Sequence, residues 1–423
     1  MPELEESLRK EAKRLFQVAV DAANPASALR RHFAESPLVA PEGRMIVISI
    51  GKAACPMMEE ALKFIPAGVP CAALVVTNRE NLRPIPGADV LPAGHPVPDL
   101  EGEAAGQAVM RLLNSAGPQD KVIALISGGG SALLPAPVQG VSLSDKAQVS
   151  EVLLAAGLDI TDMNHIRQQL SQLKGGGFAR LAAPATVSSF ILSDVVGNDL
   201  RAIASGPTAE PIGTRASAKA LLEDHDLFSR MPESVQTFLQ TAEPRTPVTP
   251  PVENTLICSN HQSLEAMQAA STGWHAQIIA DDLEGDVEDV APLLLNIASK
   301  TPAQTALLFG GETTVTLRGT GRGGRNQELA LRFALGADKM KGDWVFLSGG
   351  TDGRDGPTDA AGGLVSARSK SRMEQAGTNP DILLANNDSY AALDVAGDLL
   401  VTGGTGTNVA DVQIFLRGPL PKP

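Results

Sequence analysis

The sequence predicts an α/β protein with two domains, and three features of the chain support this prediction. Its 423 residues exceed what one ordinary hydrophobic core organises. Short β-rich runs that end at glycine or aspartate alternate with helix-like segments, as they do in doubly wound sheets. The proline-rich stretch EPRTPVTPPV (243–252) can continue neither a helix nor a central strand. We therefore expect one domain over 1–245 and a second over 250–423.

The first block opens with helices and continues with buried strands. Residues 3–33 read as two helices separated at Asn24-Pro25, because asparagine caps a helix and proline suits its first turn. The strand candidates that follow are MIVISI (45–50), CAALVV (71–76), VIALIS (122–127) and SSFILS (188–193), with the helix-like PMMEEALKF after the first.

The second block repeats the alternation of strand, glycine-rich turn and helix. Its strand candidates are TLICSN (255–260), AQIIAD (276–281), TALLFGG (305–311) and WVFLSGG (344–350). Near the end, LLVTGGTGTN (399–408) shows the same pattern, and the sequence leaves open whether this last segment returns to the first domain.

Composition excludes several classes of function. The net charge is −13 and there is no basic stripe, so a nucleic-acid partner is not expected. Cys55, Cys71 and Cys258 have no metal-site spacing and fit a reducing cytosol. The N-terminus lacks the apolar region of a signal peptide, and no apolar run is long enough to cross a membrane. We expect a cytoplasmic protein with no membrane partner; a homodimer is left open.

Lys52 is the first candidate for chemistry. In SIGKAACPM it directly follows a predicted strand and precedes a predicted helix, where free backbone N–H groups favour an anion. The segment is not a P-loop, since it lacks the upstream glycine and the Ser/Thr of that motif. The alternative is a solvated lysine at the edge of a loop.

The segment SGGGSALL (127–134) is a glycine-rich turn that opens a predicted helix. Backbone N–H groups there would cradle a phosphate, with two serine hydroxyls as further donors. The candidate phosphate-binding residues are Ser127, Gly128, Gly129, Gly130 and Ser131. The GxGxxG pattern of dinucleotide sites is absent, which argues against a nicotinamide-dependent enzyme.

The segment NHIRQQLSQLKGGG (164–177) reads as one helix that ends at glycines. On such a helix Arg167, Ser171 and Lys174 share a face and would bind an anion together. The alternative is that basic residues near a helix C-terminus offset the helix dipole.

Carboxylates at strand ends are candidates for a metal or for proton transfer. Asp194 follows a strand, with Asp199 close by, and either would hold Mg²⁺ together with phosphate oxygens. Asp194 would also accept the proton of a substrate hydroxyl. The alternative is an aspartate that caps a turn.

The second block carries its own charged, glycine-rich loops. GTGRGGRNQELAL (319–331) places Arg322 and Arg325 before a helix, and arginine suits bidentate binding of phosphate or carboxylate. SGGTDGRDGPTDAAGG (348–363) holds several aspartates, of which Asp352 is the metal candidate, but it fails the EF-hand pattern.

Strands ending in glycines recur at ISGGGS, LFGGET, LSGGTD and VTGGTG, and ligands bind at the carboxyl ends of strands in open α/β sheets. We expect the second block to bind the nucleotide through Gly311, Glu312, Gly350, Thr351 and Asn326.

Taken in order, the motifs of this chain resemble those of the class II glycerate 2-kinases, whose C-terminal part is the MOFRL domain. They are GKAACPM, GHPVPD, SGGGSALL, RQQLSQLKGGG, SDVVGND with IASGPT, FGGETTV, GRGGRNQELAL, GGTDGRDGPTDAAGG and GGTGTNVADV, and they span about residues 10–416. The resemblance implies an N-terminal Rossmann-like domain, a three-layer sandwich, and a C-terminal MOFRL-type α/β domain with the site in a cleft between them. It also implies ATP, Mg²⁺ and D-glycerate phosphorylated at its 2-hydroxyl, and it matches the family's lysine to Lys52 and its loop arginine to Arg325.

The working hypothesis is a kinase in which Lys52, Arg325 and Asp194 are catalytic. In it Lys52 and Arg325, with the SGGGS turn, hold the substrate carboxylate and the phosphoryl group, and Asp194 receives the proton or orients Mg²⁺. Arg167 and Lys174 add positive charge. The rival enzyme is an NAD(P)H-dependent hydroxypyruvate reductase, and a non-catalytic sensor of small acids is the third reading.

Overall fold

The computed structural model describes residues 2–243 and 250–419, and the chain divides into two compact units. The N-terminal unit comprises residues 25–243 and 250–257, and the C-terminal unit comprises residues 2–24 and 258–419. Within these described residues, no helix is long and apolar enough to cross a membrane.

The chain begins with helix α1 (Pro2–Ala22), which belongs to the C-terminal unit. The N-terminal unit then contains helices α2 (Pro25–Glu35), α3 (Ala54–Ala61), α4 (Leu100–Asn114), α5 (Gly130–Leu133), α6 (Leu143–Ala155), α7 (Ile160–Gln169), α8 (Gly177–Ala182), α9 (Arg215–Asp224) and α10 (Glu233–Gln240), and strands β1 (Met45–Ile50), β2 (Cys71–Asn78), β3 (Asp89–Ala93), β4 (Lys121–Ile126), β5 (Thr186–Leu192) and β6 (Val252–Cys258).

Six strands form the sheet of the N-terminal unit, in the order β3-β2-β1-β4-β5-β6. The pairs β1–β2, β2–β3, β1–β4 and β4–β5 are all parallel. This is the strand order of dinucleotide-binding folds, in which the order reverses beside the first strand. The predicted Rossmann-like sheet is confirmed.

Both faces of this sheet are covered, because its central strands are apolar throughout. Ile46, Ile48 and Ile50 of β1 are buried on one face in a cluster that includes residues of α4 and α8. Met45 and Val47 point to the other face, since side chains alternate along a strand, and α3 packs there on β1 and β2. The result is the expected three-layer sandwich.

The C-terminal unit continues with helices α11 (Asn260–Ala270), α12 (Val287–Ser299), α13 (Arg325–Gly336), α14 (Ser369–Gln375), α15 (Pro380–Ala385) and α16 (Ser389–Val395), and strands β7 (His275–Asp286), β8 (Thr305–Thr314), β9 (Trp344–Gly350), β10 (Gly362–Ser366), β11 (Leu399–Leu400) and β12 (Asp411–Arg417). Its six-stranded sheet has the order β11-β10-β9-β12-β8-β7. Strand β12 is antiparallel to both its neighbours, whereas β7 and β8 are parallel. One face packs on α12 and α13, and the other on α1 and α11.

Two expectations about domain organisation need correction, and one question that the sequence leaves open is answered. Residues 2–24, placed in a first domain over 1–245, belong to the C-terminal unit because buried side chains of α1, such as Leu15 and Phe16, pack on its sheet. The segment 255–260 was assigned to the second block, but most of it lies in β6 of the first sheet. The last segment does not return to the first sheet, since β12 pairs with β8 and β9. Most of the predicted boundary at 245–250 lies outside the described residues.

Candidate active site

The candidate site lies where the strand order of the N-terminal sheet reverses. Strands β1 and β4 are neighbours at its centre, with β2 continuing on one side and β5 on the other. The chain leaves β1 at Gly51 and Lys52, and it leaves β4 at Ser127. In open α/β sheets ligands bind in this crevice, outside the carboxyl ends of the strands. Lys52 therefore lies after a strand and before a helix, as predicted.

Hydrogen bonds tie the turn after β1 to the turn after β4. The backbone N–H of Lys52 donates to the Gly128 carbonyl at 2.9 Å, and that of Ala53 donates to the Ser127 hydroxyl at 3.1 Å. The same hydroxyl lies 3.3 Å from the Ile50 carbonyl, to which it donates. Because Ser127 is only 1% exposed, its side chain joins the two turns, and Ser127 is a poor candidate for direct contact with a ligand.

Two glycines allow three polar side chains to approach the turn after β4. A Cβ atom on Gly128 would lie 2.0 Å from Oδ2 of Asp194. A Cβ atom on Gly129, whose φ is +85°, would lie 3.2 Å from Cγ of Lys52 and 3.1 Å from Cδ2 of His95. The structure thus brings together Lys52, Asp194 and the turn, which the sequence had placed at separate strand ends.

His95 is a site residue that the sequence reasoning missed. Its only signal in the sequence is the family motif GHPVPD, whose composition and spacing indicate no chemical role for the histidine. Burial and the nearby Lys52 ammonium lower the pKa of His95, so its imidazole is neutral at neutral pH. Burial has the opposite effect on the carboxyl group of Asp194 and raises its pKa. The site therefore combines a cation, a neutral imidazole and a carboxyl group suited to accept a proton.

Asp199, the second metal candidate of this unit, already forms an ion pair with a neighbouring side chain. Its carboxylate pairs with Arg201 at 2.8 Å, and this hydrogen bond lowers the pKa of Asp199. In residues 2–243 and 250–419 no three or more histidine, cysteine or acidic side chains are grouped to hold a metal ion. A metal here would need oxygen atoms from a substrate in addition to Asp194.

The predicted single helix over 164–177 is wrong. Helix α7 ends at Gln169, Ser171 forms a bridge with Pro137, and the left-handed Gly175 and Gly176 lead into α8. A helix cannot continue through a residue that pairs as a strand. Arg167 and Lys174 nevertheless line one cavity, whereas Ser171, predicted on the same face, lines a different one.

That cavity has a volume of about 330 Å³ and also contains Lys146, a residue that no motif marked. Lys174 donates to the Ser131 carbonyl at 2.8 Å and to its hydroxyl at 3.0 Å, while Lys146 donates to the Pro135 carbonyl at 2.6 Å. Burial, reinforced by Arg167, lowers the pKa of Lys146 to about 7. Burial together with Lys146 and Arg167 also lowers the pKa of Lys174.

In the C-terminal unit, Arg325 begins α13 and is bound by two carboxylates. It donates to both oxygens of Asp411, at 2.6 and 3.0 Å, and its Nη1 lies 2.8 Å from Glu312. Burial would lower the pKa of Arg325, but hydrogen bonds and charge from Asp411 outweigh it and raise that pKa. Asp411 was not among the predicted residues; it is the first residue of β12 and lies opposite Gly311 and Gly350.

Asp355 caps the same end of α13. Its carboxylate accepts the backbone N–H groups of Asn326 at 3.1 Å and Gln327 at 2.8 Å. Burial raises the pKa of Asp355 to about 6, and the charge of Asp411 acts in the same direction. The acidic loop thus positions the helix that carries Arg325.

The side chains predicted to bind the nucleotide are mostly engaged inside the C-terminal unit. Thr351 donates to the Ala410 carbonyl at 2.6 Å, and the Asn326 amide oxygen accepts the Ser348 hydroxyl at 2.6 Å. Both side chains are buried, as are Gly311 and Gly350 within their strands. Asp352, the third metal candidate, accepts the backbone N–H of Arg354 at 2.9 Å. Their roles in binding stay predictions.

Comparisons with known proteins identify the family of the chain. Residues 11–240 match a domain of unknown function, DUF4147, and residues 305–411 match the MOFRL family. The chain is 36% identical to the D-glycerate 2-kinase of Thermotoga maritima, over 97% of this chain and 99% of that protein. It is 38% identical to a protein of Agrobacterium vitis provisionally named a hydroxypyruvate reductase, over 97% and 95% of the two chains. The crystal structure of the Thermotoga maritima glycerate kinase matches with a TM-score of 0.89 at 36% identity, covering 97% of this chain and 99% of that one. The chain therefore belongs to the family that joins a DUF4147 domain to a MOFRL domain and includes the D-glycerate 2-kinase of Thermotoga maritima.

Proposed function

We propose that this protein is an ATP-dependent D-glycerate 2-kinase, which transfers the γ-phosphate to the 2-hydroxyl of D-glycerate and yields 2-phosphoglycerate and ADP. The observation that carries the proposal is the grouping of Lys52 and Asp194 around Gly128 and Gly129, at the point where the strand order reverses. Two relatives are named glycerate 2-kinases, and this chain aligns with most of the length of each, which supports the same activity.

Phosphoryl transfer makes demands that this site can meet. The transition state is loose, so the protein mainly positions the reactants and offsets negative charge. The Lys52 ammonium supplies positive charge, and the turn after β4 supplies backbone N–H groups. Asp194, whose pKa is raised by burial, either receives the proton of the 2-hydroxyl or supplies an oxygen ligand to a metal.

Mg²⁺ would offset the charge of the polyphosphate. It is usually held by one or two carboxylates together with phosphate oxygens and water, so Asp194 alone would be a sufficient protein ligand in this unit. Asp199 fits less well, because Arg201 already pairs with it. Asp352 stays a candidate ligand in the C-terminal unit.

Arg325 is the proposed second cation. Its guanidinium is held rigidly by Asp411 and Glu312, and arginine so held can still present further N–H donors to an anion. Gly311, Glu312, Gly350, Thr351 and Asn326 stay the proposed contacts for the nucleotide, of which Glu312 is the one whose side chain reaches the surface.

A hydroxypyruvate reductase is the second candidate, because the relative from Agrobacterium vitis carries that name provisionally. The turn after β1 reads Gly51-Lys52-Ala53-Ala54 and lacks the glycine pattern that lets a dinucleotide pyrophosphate approach the backbone. The chain thus offers the strand order of a dinucleotide fold without its binding motif, which favours the kinase.

We place the reaction in the cytoplasm. Cys55 and Cys71 are free thiols, and cysteines without a disulfide persist in a reducing compartment. The expected ligands are D-glycerate and the nucleotide.

A product assay tests the proposed function. The pure protein is incubated with D-glycerate, ATP and Mg²⁺, and the product is identified by ³¹P–¹H NMR. We expect a phosphorus signal coupled to the single proton on C2. Coupling to the two protons on C3 would keep the kinase and correct its position of transfer. NADH oxidation with hydroxypyruvate, without phosphorylation of glycerate, would replace the kinase with the reductase.

A further inference from the structure

The cavity beside α6 and α7 gathers three cations whose purpose the proposed chemistry at Lys52 does not explain. Lys146 comes from α6, Arg167 from α7, and Lys174 from the segment that follows α7. Three separate pieces of chain therefore bring one basic side chain each into a cavity of about 330 Å³.

Like charges in one cavity repel each other and are expensive to bury without an anion. Among residues 2–243 and 250–419, none of the three cations has a carboxylate within ion-pair distance. Glu103 attracts Lys146 only at longer range, and Glu151 lines the cavity. The fold thus maintains a local positive field inside a protein whose net charge is −13.

Two of the cations have donors suited to a ligand. The Arg167 Nε atom is buried and has no hydrogen-bond partner, which is uncommon for a buried polar atom. Lys174 is 6% exposed and uses contacts with one residue, Ser131, while an ammonium carries three donors. Lys174 also ties the cavity to the turn after β4, since Ser131 lies one residue beyond Gly130 of that turn.

Much of the remaining wall is apolar, although Ser150 and Glu151 also line it. Side chains of Pro96, Val97, Leu143, Leu154 and Leu170 line the cavity together with the cations. Val97 and Leu154 are 70% and 61% exposed, which is high for apolar residues beside a charged cavity. A ligand with a carbon skeleton and a strongly charged end matches this combination better than a free inorganic ion does.

We propose that Lys146, Arg167 and Lys174 form a binding site for the phosphate group of an organic phosphate, with its carbon part against the apolar wall. When all three groups are protonated, their charge exceeds what the single charge of a glycerate carboxylate would balance, whereas a phosphate monoester or a polyphosphate carries two or more charges. The inference rests on the proposed function, because that reaction has two organic phosphates: the nucleotide and the phosphorylated acid. It assigns Lys146 a role that no motif indicated.

The test measures binding by the full-length protein and its Lys146→Met and Lys174→Met variants. Isothermal titration gives the Kd for ADP, 2-phosphoglycerate, D-glycerate and inorganic phosphate. Lys63→Met is the matched control, since this lysine lies on the same unit, pairs with Glu60 and does not line the cavity. Methionine keeps the length of the side chain and fits a buried position, so both variants should fold. If Lys174→Met is unstable, Lys146→Met carries the test, because Lys146 is less buried.

We expect at least a tenfold rise in the Kd of one organic phosphate in both variants and none in the control. A rise for ADP with an unchanged KM for glycerate identifies the nucleotide as the source of the phosphate, and a rise for 2-phosphoglycerate alone identifies the acid. Unchanged binding of both organic phosphates would overturn the proposal, as would an equal loss for D-glycerate, which carries no phosphate.

Glycerate phosphorylation by the unmodified protein separates the two proposals. Activity that persists with unchanged KM values in both variants contradicts the phosphate site alone. If the parent binds organic phosphates through Lys146 but does not phosphorylate glycerate, the result contradicts the kinase alone.

Discussion

Lys52 is held by its backbone on both sides. Its N–H donates to Gly128, and its carbonyl accepts the Asn81 side chain at 3.0 Å. The flexible part of the residue is therefore confined to the methylene chain, which starts from a fixed point beside Gly129. A cation placed in this way needs little reorganisation to meet the developing charge of a phosphoryl group.

Removing this cation should affect catalysis more than folding. We expect Lys52→Ala to lower kcat/KM for glycerate by at least about two decades, which corresponds to about 3 kcal/mol of transition-state stabilisation. Steady-state kinetics measures the effect, with Lys63→Ala as a control on the same unit. A Lys52→Ala enzyme within about threefold of the parent would remove Lys52 from the catalytic residues.

Lys146 should make phosphate binding depend on pH. Its pKa is lowered to about 7 by burial and by Arg167; Lys174 also faces it, while Glu103 opposes the shift. Only the protonated form attracts an anion, and a phosphate monoester stays doubly charged above about pH 6. Affinity for the organic phosphate should therefore fall as the pH rises from about 7 to about 9, by up to about tenfold per pH unit.

Titrations across this range compare the parent with Lys146→Met. In the variant, the affinity for the organic phosphate should depend much less on pH, because Arg167 stays protonated throughout. An equal slope in both proteins would assign the pH dependence to another group, such as Lys174 or the ligand itself.

At the scale of single residues, the sequence indicated only part of the site. Lys52 and Asp194 were recognisable because each lies just beyond the end of a buried strand, and parallel strands bring such ends together. Lys146 lies within α6, a helix whose sequence shows no marked apolar face, so its burial depends on packing that no local pattern encodes. His95 approaches Gly129 from a different loop, and only the tertiary structure reveals that contact.

At the scale of elements, two turns act as one structure. The turns after β1 and β4 share hydrogen bonds through Ser127 and Gly128, and the Asp194 carboxylate rests against the Gly128 backbone. The absence of a side chain at Gly128 is what allows this approach.

Gly128→Ala should therefore impair catalysis. Its Cβ atom would lie 2.0 Å from Oδ2 of Asp194, so the carboxylate must move. Displacement of a reacting group by about 1 Å can cost about a hundredfold in rate, and we expect a loss of kcat of that order. The control is Gly117→Ala, where the nearest atom is an Asp120 oxygen at 3.9 Å.

Circular dichroism and thermal unfolding verify that both glycine variants fold. If Gly128→Ala is as active as the parent, catalysis does not depend on the position of the Asp194 carboxylate.

Long apolar strands were the elements that the sequence predicted best. MIVISI matches β1 residue for residue, because six consecutive apolar or small residues buried on both faces have few alternatives. The segment 164–177 failed for a tertiary reason: Ser171 pairs with Pro137, a residue more than thirty positions away in the chain. Helical periodicity carries no information about such a partner.

At the scale of the whole molecule, the proline-rich linker predicted that the chain passes from one domain to the other once. The chain passes between the two units twice. Residues 2–24 belong to the C-terminal unit, and the chain enters the N-terminal unit at Pro25. The helix break at Asn24-Pro25 was predicted, but a helix break does not reveal which sheet the preceding helix covers.

The location of α1 gives a prediction about stability. Phe16 is 1% exposed and packs in the cluster that covers one face of the C-terminal sheet. We expect Phe16→Ala to lower the free energy of unfolding of this unit by about 3–5 kcal/mol. Trp274 and Trp344, the two tryptophans of the chain, both lie in this unit, so their fluorescence during urea unfolding reports the change.

Lys10→Ala on the same helix is the control, since its side chain is 76% exposed. A tryptophan transition at the same urea concentration in Phe16→Ala and the parent would show that α1 does not support this unit.

The position of β12 has a consequence for the order in which the molecule is made. Residues 25–257 are contiguous, so the N-terminal unit can emerge completely from the ribosome and fold while synthesis continues. The C-terminal sheet cannot be completed in this way, because β12, the last of its strands in the chain, lies between β8 and β9. Until that strand emerges, the facing edges of β8 and β9 expose unpaired backbone groups, and α1 is made before the strands that it covers. In the nascent chain α1 is therefore uncovered while residues 25–257 are made, and the arrival of β12 completes the sheet.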